Sequence, residues 1–86
     1  MNTPISFQIT DLDNKSTVVI NNVTECKKDV LNNRVYIQGK IPNDDLHKIS
    51  FFFEQEETVV VKGSEELKGN YYIHDYNKLF IELQQI

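Results

Sequence analysis

At 86 residues, with 40% hydrophobic and 10% aromatic side chains and a mean hydropathy of −0.44, the chain can build one small core under a well-solvated exterior. A single domain is expected, and neither a second domain nor a disordered polymer. Net charge is −4 and Arg34 is the only arginine, so the basic stripe and bidentate guanine contacts of nucleic-acid binders are missing, and direct nucleic-acid binding is not expected.

The first strand is expected from Pro4 to Thr10, with Ile5, Phe7 and Ile9 inward. Asp11 to Lys15 has the Asp/Asn density of a turn. Thr17 to Thr24 supplies the second strand through Val18, Val19 and Ile20, running on with a bend at Asn21-Asn22 toward Cys26. Leu31-Asn32-Asn33 is the next turn, because Asn tolerates left-handed backbone angles. Arg34 to Ile41 alternates as a third strand and ends at Pro42.

From Pro42 the hydrophobic period changes from two to about three and a half. Leu46, Ile49, Phe52 and Phe53 then line one face of a helix. Asn43 is the expected N-cap, Asp44 and Asp45 suit the positive end of the helix dipole, and the helix is expected to end near Phe53 or Glu54. Glu54-Gln55-Glu56-Glu57 covers the exit, where acidic side chains oppose the dipole and favour early termination or fraying. A fourth strand, Thr58 to Lys62, closes at Gly63-Ser64. Leu67, Gly69, Tyr71 and Ile73 share one face of a fifth strand, and Leu79, Ile81 and Leu83 one face of a sixth, with Asp75-Tyr76-Asn77-Lys78 as the loop between them. The expected fold class is α+β, a small twisted antiparallel sheet or open barrel of about six strands with one helix, in the order βββαβββ and in a single domain over residues 1–86.

The segments Ile20-Asn21-Asn22-Val23-Thr24, His47-Lys48-Ile49 leading to Phe53 and Val60, Asn70-Tyr71, and Phe80-Ile81-Glu82 resemble the YkvR-like family of small bacterial and phage proteins of unknown function. The resemblance covers most of the chain from Thr17 onward. This sequence departs from it by an additional N-terminal strand and a shorter Tyr-rich loop after Asn70. A compact mixed α/β domain is what the resemblance implies, and it carries over no catalytic or binding residue.

Tyr72 and His74 share the outward face of the fifth strand, with Tyr76 in the loop beyond, so these three form the expected contact surface. The alternative is that the rings shield a small core from outside. Glu54, Glu56 and Glu57 precede the fourth strand and Glu65 and Glu66 follow it; converging on one end of the domain they would favour a protein partner with a basic surface, whereas the plainer reading is two solvated loops. A zinc site is not expected, because Cys26, His47 and His74 lack short ligand spacing. Lys27 and Lys28 beside Cys26 would lower its pKa somewhat, yet no oxyanion hole or glycine-rich elbow accompanies it. No enzyme activity and no cofactor are expected.

Met1 to Pro4 lacks the basic and apolar regions of a leader, no run approaches the roughly 18 apolar residues of a membrane span, and the lone Cys26 allows no internal disulfide. A cytoplasmic protein is expected, without membrane attachment, folding alone or as a small homo-oligomer. Abundant Asn, Ile and Lys with almost no Arg suggest AT-rich coding, as in many bacteria and their viruses. The leading expectation is a non-enzymatic protein that occludes a protein partner, such as a phage- or mobile-element-encoded inhibitor of a host defence factor. Two alternatives stay open: an oligomer that sequesters a nucleotide-like ligand between Tyr71, Tyr72, His74 and Arg34, and a virion or scaffold component joined through its sheet edges.

Overall fold

The computed structural model describes residues 6–13, 15–63 and 65–86, with Glu65 in its backbone only. Its elements are β1 (Phe7–Asp11), β2 (Thr17–Asp29), β3 (Arg34–Lys40), α1 (Asn43–Glu54), β4 (Val59–Lys62), a 3₁₀ turn (Glu65–Leu67), β5 (Tyr71–Asn77) and β6 (Phe80–Gln85). Pro4 and Ile5, expected to begin the first strand, lie outside the described residues, as do Asn14 and Ser64. Among the described residues no helix is long and apolar enough to cross a membrane.

The strands form two antiparallel meanders, β1-β2-β3 and β4-β5-β6, joined by the helix. Each meander would leave two edges of unpaired backbone groups. Pairing β3 with β6 and β1 with β4 removes them, so the sheet is a closed barrel in the order β1-β2-β3-β6-β5-β4 and not an open one. Closure is uneven. β1 and β4 match over four register pairs, from Gln8↔Lys62 to Asp11↔Val59, whereas among the described residues β4 meets β5 only at Val59↔Tyr71.

Alternation along the strands fills the interior with Phe7, Ile9, Val18, Ile20, Val35, Ile37, Val59, Val61, Tyr71, Ile73, Ile81 and Leu83. The expected alternation of Leu67, Gly69, Tyr71 and Ile73 holds only from Tyr71. Leu67 is buried from the 3₁₀ turn, and Gly69 takes φ +115 in the bend that follows, so the strand begins later than the pattern suggests. Leu79 is in phase with Ile81 and Leu83 but sits in the β5–β6 turn, where it is exposed.

The helix closes a gap. β3 ends at Lys40, opposite Asn21, so among the described residues Thr17 to Ile20 of β2 have β1 on one flank and no strand on the other. α1 packs against that flank and, more extensively, against β5, burying Ile49 and Phe52 while Leu46 rests against the core. Phe53, expected on the same face, is half exposed at the helix flank. The cap is Pro42, not Asn43: Pro42 is extended (φ −57, ψ 148), its carbonyl accepts from Asp45 N–H at 2.9 Å and Leu46 N–H at 3.0 Å, and no side chain caps the first turn. Asn43 is thereby the first helical residue. At the far end Glu57 N–H donates to Phe52 O at 2.9 Å and Glu56 N–H to Phe53 O at 3.3 Å, the paired bonds of a Schellman closure. These bonds carry the helix through Glu54 despite its acidic exit.

Candidate functional site

A bulge in β5 decides where its aromatic residues go. Ile73 pairs with Leu83 and Asp75 with Glu82, leaving His74 as the extra residue. The bulge reverses the phase of the strand: Tyr72 and His74 face outward, but Tyr76, paired with buried Ile81, turns inward. Tyr76 lies within β5 and not in a loop, and it meets Phe53 edge-on with ring centroids 5.6 Å apart. Tyr72 and His74 therefore share the outer face, and Tyr76 does not join them. His74 Nε2 stands 3.6 Å from the Glu82 carboxylate.

The acidic residues divide as well. Glu54 and Glu56 are exposed at the helix exit, Glu57 precedes β4, and Glu66 follows it in the 3₁₀ turn with the Glu65 backbone. A strand of four residues separates the two groups by about 13 Å, so they sit at opposite ends of β4 and do not converge. What does come together is Glu56, Tyr72 and the C-terminal Ile86, which border one open cavity of about 340 Å³ beside the thin β4–β5 seam. Ile86 is positioned by its N–H, which donates to Asn70 O at 3.0 Å. Glu56 holds a left-handed backbone (φ 51), a conformation that glycine takes at much lower cost, and it presents its side chain to this cavity.

Glu57 has different company. Leu12 N–H donates to Thr58 O at 3.0 Å and draws the β1–β2 turn against the start of β4, bringing Asp11, Asp13 and Glu57 within 4.8 Å of one another at a carboxylate oxygen each. Asp11 is fully buried, and its Oδ1 accepts Asp13 N–H at 2.8 Å. A hydrogen bond with the Asp13 carboxyl, some loss of solvation and the charges of Asp11 and Asp13 push the Glu57 carboxyl above its ordinary value. The three carboxylates form one acidic group at the start of β4. It also offers three oxygens to a hard divalent cation, short of the six to eight that calcium takes from all sources.

Cys26, His47 and His74 form no such group among the described residues. The Cys26 thiol is pushed up, first by partial loss of solvation and then by the Glu66 carboxylate, so the expected lowering by Lys27 and Lys28 is reversed. Lys27 is instead engaged with Glu25 at 3.0 Å. Of the four residues expected to form a ligand pocket between copies of the chain, Tyr72 and His74 face outward, while Tyr71 and Arg34 are engaged within the chain. Tyr71 is wholly inside the barrel with its hydroxyl donating to Lys68 O at 3.3 Å, and Arg34 Nε donates to Gln84 Oε1 at 2.8 Å.

The carboxylate group is not legible in His and Cys spacing, the usual sequence sign of a zinc site. The Asp density of the β1–β2 turn was visible, but its meeting with Glu57 depends on the β1–β4 register. Comparison with protein-family models, with curated proteins and with solved structures returns no match.

Proposed function

We propose that this is a non-enzymatic binding protein that occludes a basic surface on a protein partner, docking through the β4–β5 seam. The observation that carries this reading is the open cavity at which exposed Tyr72 meets Glu56 and Ile86. A ring with a polar tip, an apolar terminal side chain and carboxylates from Glu54 and Glu56 combine a desolvating anchor with an acidic rim. Masking of this kind needs no catalytic group and suits a small cytoplasmic inhibitor of a host factor carried by a phage or mobile element. Glu65 and Glu66, at the other end of β4, and the inward Tyr76 take no part in this contact.

The test is partner capture from a bacterial lysate by immobilised protein, followed by kinetics with the purified partner. Tyr72→Ala should weaken binding by more than about 1 kcal/mol with an unchanged melting temperature. Charge reversal of Glu54 and Glu56 should mainly slow association, with the difference shrinking at high salt. Wild-type affinity in both variants would refute the assignment.

A further inference from the structure

The β2–β3 ladder is interrupted where β2 bends: Asn21 pairs with Lys40, the next pair is Glu25↔Gln38, and Asn22 between them is left-handed at φ 52. The strands approach so closely there that a Cβ on Gly39 would lie 2.7 Å from Ile20 Cγ2 and 2.9 Å from Asn21 O. Outside this pinch the displaced backbone leaves a cavity of about 460 Å³, walled by Asn21, Asn22, Lys40, Pro42, Asn43 and Lys78 among others. A smaller hollow of about 220 Å³ shares Asn22, Lys40 and Leu79 with it.

We infer that this groove binds a phosphate-bearing small molecule, with Lys40 and Lys78 on the phosphate. The two lysines come from the end of β3 and from the β5–β6 turn. Gly39 N–H donates to Leu79 O and Ile41 N–H to Lys78 O, both at 3.0 Å, which fixes the turn against the strand end. Among the described residues neither lysine is ion-paired, and no carboxylate lines either hollow. On a chain of net charge −4 this is a local excess of positive charge on one concave wall, which favours an anion.

The rest of the lining fits a phosphate ester. The Asn21 and Asn22 amides can donate to further oxygens, as a group with three acceptor oxygens requires. Ile41, Pro42 and the half-exposed Leu79 offer an apolar wall for the organic part, and the volume is of the size that small-molecule sites have. The groove shares no residue with the seam cavity, so this site stands or falls independently of the partner-binding reading.

The test is an amide-resolved NMR titration at low salt with inorganic phosphate, adenosine monophosphate and adenosine as probes. Shifts from adenosine monophosphate should be confined to Asn21, Asn22, Lys40, Asn43, Lys78 and Leu79. The nucleotide should bind about tenfold or more tightly than adenosine, and Lys40→Ala with Lys78→Ala should remove that advantage while Lys48→Ala with Lys62→Ala, both exposed outside the groove, keeps it. Inorganic phosphate matching the nucleotide at the same amides would support the site with phosphate alone as its ligand; tighter nucleotide binding would support an ester. Dispersed shifts, or a Lys40/Lys78 double variant that keeps its melting temperature and binds as wild type, would overturn the inference.

Discussion

Asp45 Oδ2 accepts the Val19 N–H at 3.0 Å, fastening the helix to the flank of β2 that β3 leaves uncovered. A charged acceptor on a part-buried backbone donor is worth more than a neutral bond, and removing it strands the donor. Asp45→Ala should therefore cost about 1–3 kcal/mol in urea unfolding, with Asp45→Asn losing less. Asp44 shares the first turn but is exposed, so Asp44→Ala isolates the dipole contribution of about 0.3–1 kcal/mol. Equal losses at the two positions would show that the bond to Val19 adds nothing.

Phe52 and Phe53 are neighbours in sequence with unequal surroundings. Phe52 is 2% exposed and Phe53 41%. Phe52→Ala should cost about 3–5 kcal/mol. Phe53→Ala forfeits chiefly the edge-on contact with Tyr76, about 0.5–1.5 kcal/mol beyond its partial burial. Thermal melts that reverse this order would contradict the helix placement.

Glu56→Gly should stabilise the fold by about 0.5–1 kcal/mol, because the left-handed position closing the helix carries a Cβ penalty that glycine avoids. On the proposed function the same substitution should weaken partner binding. Higher thermal stability with undiminished affinity would remove Glu56 from the contact surface.

The raised Glu57 carboxyl gives a pH dependence of definite sign. Between its unfolded value and its higher folded value the native state holds more proton than the unfolded state, so Glu57 contributes instability that grows as pH rises through this window and is relieved as pH falls. Glu57→Gln should accordingly be more stable than wild type at pH 7. Its advantage should shrink toward pH 4.5 in denaturant titrations. An advantage that persists unchanged at low pH would point to a cause other than carboxylate repulsion.

Period-two alternation made Val35/Ile37, Tyr71/Ile73 and Ile81/Leu83 legible as inward pairs, and the change of period at Pro42 located the helix, because both signals are local. Ring closure was not legible, since the β1–β4 and β3–β6 registers join segments distant in sequence. Asp75 to Asn77 resembled a loop by composition. In the structure the His74 bulge keeps them in β5, and Asn77 Oδ1 accepts Leu79 N–H at 2.7 Å and Phe80 N–H at 3.1 Å, so the turn needs only Lys78 and Leu79. For the candidate site, the exposed Tyr72 and the acidic helix exit were readable one at a time. Their meeting at Ile86 required the seam, and the inward turn of Tyr76 required a bulge that no residue type announces.

The one-pair seam between β4 and β5 bears on the order in which the chain assembles. The β2–β3 and β5–β6 hairpins close short loops at low entropic cost, whereas β1–β4 closure must first bring remote segments together. Substitutions that weaken the hairpins should slow folding. Truncations at Val59 or Val61 should mostly quicken unfolding, giving φ-values near zero in chevron analysis. In the native protein the amides of β4 should then exchange with solvent through an opening smaller than global unfolding, exposing the barrel interior along that strand.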